Sequence, residues 1–184
     1  MEDAANVVSE SDYGTHALII YQDLQTLRDF YSHYVKKRIE EKNEIVHLAS
    51  FYETVDSVRK TLSEGKASIT DIEKREDKEK SLIIIDSLQK YAKYDSPDSD
   101  NNFNKELVNY ANTIQKAGVS ILTDTGAFPY NHREEDLVNY ELALPSKYDV
   151  DLKRICLYHQ NDFNKLSDDQ KLKLLDHHIL AFKI

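Results

Sequence analysis

The stretch that most limits how this chain can fold is Lys80-Ser-Leu-Ile-Ile-Ile-Asp-Ser87. Leu82 to Ile85 show no polar alternation, so a strand there is covered on both faces, the pattern of a parallel sheet sandwiched between helices. It is therefore expected at the centre of the sheet. Asp86 falls where this strand meets a loop, the edge at which open α/β sheets receive ligands.

Other runs repeat the arrangement. His16-Ala-Leu-Ile-Ile-Tyr21, Glu44-Ile-Val-His-Leu-Ala-Ser50, Val119-Ser-Ile-Leu-Thr123 and Leu152 to Tyr158 read as strands, with Ile179 to Phe182 as a closing edge strand. Between them, Leu24, Leu27, Tyr31, Tyr34, Val35 and Ile39 recur at three- and four-residue steps behind Asp23, a helix N-cap. Val55, Val58 and Leu62 mark a second helix, Leu88 to Tyr94 a third, and Phe103, Leu107, Ala111, Ile114 and Ala117 a fourth. Arg133 to Leu144 reads as a helix. Ser167 with Gln170 forms a capping box that starts the last one. Ala67 to Ile72 is expected as a short strand, Glu73 to Lys80 as a solvated loop, and Asp95 to Asn102 as an acidic loop with little to bury. Strand and helix alternating in this way imply βαβ units with right-handed crossovers. Residues 1–14 are expected as a flexible arm ending at Gly14, and 15–184 as one domain.

With 184 residues the chain suits a single full core. A net charge of −9 supplies no broad positive field, which argues against direct binding of nucleic acid or an anionic membrane. The single cysteine, Cys156, has no intrachain disulfide partner, which fits a reducing cytoplasm. Met1 to Tyr13 lacks the basic and apolar regions of a signal peptide, so a cytoplasmic protein is expected.

Candidate chemistry gathers first at the strand ends: Tyr21, Ser50, Asp86, Asp124 and Thr125. Asp86 either caps its turn or contacts a ligand. In phosphoryl-transfer proteins an aspartate so placed holds Mg²⁺ beside a phosphate cradle. Here four glycines, at 14, 65, 118 and 126, cannot form G-x-x-x-x-G-K-[ST]. Cys156 with His177 and His178 is a second candidate, but one cysteine without paired ligand spacing does not predict a metal site, and no signature marks a Cys–His nucleophile. Asn139-Tyr140-Glu141 is a third, setting a carboxylate beside an aromatic ring. No cofactor is expected, and no catalyst is evident.

His16-Ala-Leu-Ile-Ile-Tyr21, Asp136-Leu-Val-Asn-Tyr-Glu141, Ile155-Cys-Leu-Tyr158 and His177 together resemble the MEDS family, sensory domains named for methanogens, methylotrophs and the DcmR regulator. The likeness runs from His16 to the C-terminus. The middle of the chain is similar to KaiC- and RecA-type ATPases: Glu44 to Ser50 matches the strand after the P-loop helix, Leu82 to Ser87 matches Walker B, and Tyr21-Gln-Asp-Leu-Gln-Thr26 stands in place of the P-loop. The resemblance implies a three-layer, mostly parallel, RecA/KaiC-like α/β sheet flanked by helices. It further implies a non-catalytic sensory module for a small organic, hydrocarbon-derived ligand. His16, Tyr21, Tyr140, Glu141, Cys156, Tyr158 and His177 match recurring family positions. An output domain is absent from this stretch of chain, so signalling through a regulatory protein or kinase in trans, or through a homodimer, is expected. Two alternatives stand beside this reading: a degenerate nucleotide-binding protein that keeps Asp86, and an interaction module without a ligand.

Overall fold

A computed structural model describes residues 2–93 and 95–184. Met1, part of the expected arm, and Tyr94, the expected end of a helix, lie outside them. Six strands form one sheet: β1 (His16–Tyr21), β2 (Ile45–Ser50), β3 (Leu82–Asp86), β4 (Val119–Asp124), β5 (Leu152–His159) and β6 (Leu180–Lys183). Their spatial order is β3-β2-β4-β5-β1-β6, and every pairing is parallel.

Nine α-helices connect and cover the strands among the described residues: α1 (Glu2–Glu10), α2 (Leu24–Lys36), which continues as a π-helical turn over Lys37–Glu41, α3 (Val55–Glu64), α4 (Ser87–Lys93), α5 (Pro97–Thr113), α6 (Ala127–Tyr130), α7 (Glu134–Ala143), α8 (Gln160–Lys165) and α9 (Asp168–His177). Ala17, Ile19, Ile155 and Leu157 pack with α1, α2 and α3 on one face. Leu18, Ile20, Cys156 and Tyr158 pack with α6 to α9 on the other, where α5 covers Ile45, Val119 and Ile121. Because neighbours along a strand point to opposite faces, β1 sends His16, Leu18 and Ile20 to the second face together.

Five expectations change, the first at Glu73 to Lys80, expected as a loop, where Lys74–Lys78 form a π-helical turn with no buried residue. Residues 2–10 form α1 instead of a flexible arm, with Ala4, Ala5 and Val8 buried in the core. The helix end is held from a distance: Lys153 Nζ donates to Ser9 O at 2.6 Å and to the carbonyl of Ser11, and Arg38 Nη1 donates to Ser9 O at 2.7 Å. Two cations at a helix C-terminus also complement its dipole. The strand β3 lies at an edge of the sheet, not at its centre; Ile83, Ile85 and Asp86 are only half-buried. Ala67 to Ile72 forms no strand, although Ala67 and Ile69 still reach the core. The acidic stretch is helical from Pro97, because Ser96 and Ser99 build a reciprocal cap, and it buries Asp100 and Asn104 completely.

Gly14 sets the start of β1. Its φ of +88° and its close approach to the Tyr148 carbonyl exclude a side chain. Its amide donates to Leu152 O at 2.7 Å and its carbonyl accepts from Tyr148 N at 2.9 Å. These bonds tie the β1 lead-in to β5, so that His16 lies beside Arg154 in the register.

Candidate functional site

The expected strand-end residues lie along one edge of the sheet. Tyr21 OH donates to Asp124 Oδ2 at 2.9 Å across the end of β5, and both residues are buried. Burial raises the Asp124 carboxyl to about 7, even though the Gly126 amide also bonds it. Thr125 Oγ1 donates to Leu157 O. Ser50 on β2 stands between Asp86 on β3 and the end of β4 that carries Asp124, and Ser50 and Asp86 each close their own turn: Ser50 Oγ donates to Glu53 O at 2.8 Å, and Asp86 Oδ1 accepts from Leu88 N at 2.7 Å. Asp86 therefore caps α4.

At the end of β1, only Gln22 and Asp23 precede α2, and Asp23 Oδ1 accepts from Thr26 N at 2.8 Å. An aspartate thus satisfies the helix N-terminus that cradles phosphate in nucleotide-binding proteins.

The remaining candidates converge deep on the second face, at four elements far apart in sequence. His16 comes from β1, Glu141 from α7 and Cys156 from β5, with His178 just beyond α9. One donor atom from each lies within 4.8 Å of all the others, and all four residues are buried. Cys156 Sγ donates to Glu141 Oε2 at 3.1 Å and sits 3.3 Å from His16 Nε2. The Nε2 atoms of His16 and His178 are each 3.6 Å from Glu141 Oε2. Both imidazole tautomers are fixed from outside. His16 Nδ1 meets Pro145 O at 3.0 Å and His178 Nδ1 meets Leu174 O at 2.7 Å; a carbonyl only accepts, so each Nδ1 carries the proton. Each Nε2 then presents a lone pair to the cluster. His177 stands next to the group, its Nε2 turned to Leu144 O at 3.0 Å, and His178 takes the inward position.

Burial lowers His16 to about 4 and raises the Cys156 thiol well above its ordinary value. It would raise Glu141 too, but the carboxylate is held well below the usual range by the favourable interaction it would have with a protonated His16 or His178 and by the Arg154 guanidinium.

Beside this group lies a buried ion cluster. Asp100 Oδ2 is 2.6 Å from Arg154 Nη1, and Asp100 Oδ1 is 3.0 Å from Lys90 Nζ, with no exposure at any of the three side chains. Burial lowers Lys90 to about 8, whereas Arg154 and Lys90 outweigh burial at Asp100 and lower its carboxyl. Around these charges, the hydroxyls of Tyr91, Tyr148 and Tyr158 and both amide atoms of Asn104 are buried without a hydrogen-bond partner among the described residues. Tyr140 packs its ring at 5.6 Å from both Tyr91 and Phe128. Tyr91 and Tyr140 also line a cleft of about 670 Å³ that opens between α4, α6 and α7.

Sequence reasoning found His16, Tyr140, Glu141, Cys156 and Tyr158. His178, named with Cys156 as a candidate, joins them in place of His177, whereas Lys90, Tyr91, Asp100, Asn104, Tyr148 and Arg154 were missed. Charged residues inside an acidic stretch or an apolar strand carry no local sign that they point inward; Arg154 within Leu152 to Tyr158 was the one available hint.

One parallel sheet between two helical layers, with a buried polar group on one face, defines an α/β domain. The chain belongs to the MEDS family, the methanogen/methylotroph, DcmR sensory domain, whose model matches residues 15–178. Among solved structures it is similar to a KaiC-like protein from the hyperthermophilic archaeon Pyrococcus horikoshii OT3. The identity is 15% and the TM-score 0.52, with coverage of 93% of this chain and 72% of that one, a likeness of fold. No curated protein matches the chain. No helix among the described residues is long and apolar enough to cross a membrane.

Proposed function

We propose that this domain is a non-catalytic sensor that binds a small, uncharged organic molecule among Tyr91, Asn104, Tyr148 and Tyr158. The observation that carries the reading is the group of buried hydroxyl and amide atoms without protein partners. Each such atom costs about 1–3 kcal/mol if nothing bonds to it, so a polar guest is strongly favoured there. The charges around it balance: Lys90 and Arg154 against Asp100 and Glu141. A neutral ligand with one or two hydrogen-bonding groups suits that balance, and the aromatic rings suit its carbon skeleton. The cleft beside Tyr91 and Tyr140 supplies the entrance.

Two features support binding over catalysis. The Cys156 thiol is fully buried and held protonated, the reverse of an activated nucleophile. The helix N-terminus after β1 is occupied by Asp23, which leaves no cradle for a nucleotide phosphate. Ligand occupancy would reach a partner protein, or a second copy of the chain, through α4 and α7, which frame the entrance.

The test is a thermal-shift screen of short alcohols, aldehydes, ketones, amides and halomethanes against the wild type, Tyr158→Phe and Asn104→Leu. At least one compound class is expected to raise the wild-type melting temperature, with a smaller rise in both variants. A screen in which nothing stabilises the wild type overturns the reading.

A further inference from the structure

Independently of the organic ligand, we infer that His16, Glu141, Cys156 and His178 bind one divalent transition-metal ion, best matched by zinc. The inference rests on four observations. Both imidazoles have their Nδ1 protons committed to backbone carbonyls, Pro145 O for His16 and Leu174 O for His178. This is the outer bond that orients metal-ligating histidines and leaves Nε2 free to coordinate.

The separations come next. The edges Cys156–Glu141, Cys156–His16, His16–Glu141 and His178–Glu141 measure 3.1, 3.3, 3.6 and 3.6 Å. Donors about 2.0–2.3 Å from a tetrahedral ion stand about 3.3–3.7 Å apart. Two of these edges are too long for hydrogen bonds between the same atoms. Closing the group needs only a small inward movement of His178, since no donor lies more than 4.8 Å from another.

Hydrogen bonding without an ion is incomplete. The thiol offers a single proton to several acceptors. Glu141 Oε1 and His178 Nε2, both buried, have no hydrogen-bond partner among the described residues. Within the four ligands a 2+ ion is matched by one carboxylate and one thiolate, and loading changes the wider buried group that holds Lys90, Arg154 and Asp100 by one positive charge. Binding transfers the thiol proton to solvent as the S–metal bond forms, so uptake releases one proton per site.

Four protein donors fill the coordination shell, which marks a closed site that clamps β1, β5, α7 and the end of α9 together rather than a hydrolytic centre. Two histidines, one thiolate and one carboxylate favour zinc, with Co²⁺ and Fe²⁺ as substitutes.

Cys156 is the single cysteine of the chain, so a thiolate-to-cobalt charge-transfer band reports on this site alone. The protein would be loaded by expression in Co²⁺-supplemented medium and, separately, by unfolding and refolding with Co²⁺, so that burial does not block entry. The expected result is one cobalt per chain, the near-ultraviolet thiolate band with tetrahedral visible bands, and a melting temperature about 5 °C or more above that of chelator-treated protein. Cys156→Ser should abolish the charge-transfer band, and His178→Gln should lower the metal content. Folded wild type that holds no metal by either route overturns the inference. So does stoichiometric metal without a thiolate band, which assigns the ion to a surface site. Neither result bears on the organic-ligand screen, so the two readings fail separately.

Discussion

At the scale of single residues, the second face of the sheet is governed by charge taken out of water. Asp100 balances both Lys90 and Arg154, so removing it leaves two cations facing one another in a dry interior. Asp100→Asn is expected to lower stability by about 3–5 kcal/mol in urea unfolding, whereas Lys90→Met, which leaves the Asp100–Arg154 pair intact, should cost clearly less. Equal losses would mean that the three groups do not act as a balanced set. Asp124 answers to pH. Its folded carboxyl titrates near 7, above the ordinary value near 4, so the folded state holds the proton more tightly than the unfolded chain. Its contribution is full below about pH 4 and fades as pH rises to about 7. Asp124→Asn, which stays neutral, should therefore gain on the wild type by an amount on the order of a few kcal/mol between pH 4 and 7. Unfolding midpoints that differ by a constant across that range would contradict the assignment.

At the scale of elements, periodicity made most strands and helices legible, because their packing follows from spacing alone. The sequence reading failed where distant groups decide the outcome. An arm of 14 residues looks dispensable until Lys153 and Arg38 are seen to hold the last carbonyls of α1. Asp95 to Asn102 looks like a solvated loop because its capping pair, Ser96 and Ser99, lies among residues that also favour turns. The edge position of β3 is hidden because Leu82-Ile-Ile-Ile85 is as apolar as a central strand. Hydrogen exchange tests the first of these. Amides of Val8 to Glu10 should be protected as core helices are, and Val8→Asp should remove that protection with a loss of about 2–3 kcal/mol. Wild-type exchange there as fast as in surface loops would restore the mobile arm.

At the scale of the whole molecule, the layers follow the fold of the KaiC-like protein, and the proposed ligand site lies away from the strand ends. Sequence alone placed the ligand at the carboxyl ends of the strands, because open α/β sheets bind there and Asp86 and Asp124 end their strands. In the folded chain Asp86 caps a helix and Asp124 is sealed under Tyr21. The polar groups without partners lie instead on the face covered by α4, α5 and α7. Half of that site was readable through His16, Tyr140, Glu141, Cys156 and Tyr158. The rest required the fold, since Lys90, Asp100 and Arg154 meet only when β5 and two helices are assembled. Titration calorimetry tests this relocation most directly: the most stabilising small organic compound, and separately ATP with Mg²⁺, would each be added to wild type, Asn104→Leu and Asp86→Ala. The account predicts that the organic compound binds wild type and Asp86→Ala alike and at least about tenfold more weakly to Asn104→Leu, while ATP gives no binding heat. Binding of ATP that disappears in Asp86→Ala, with no organic compound bound by the wild type, would contradict it.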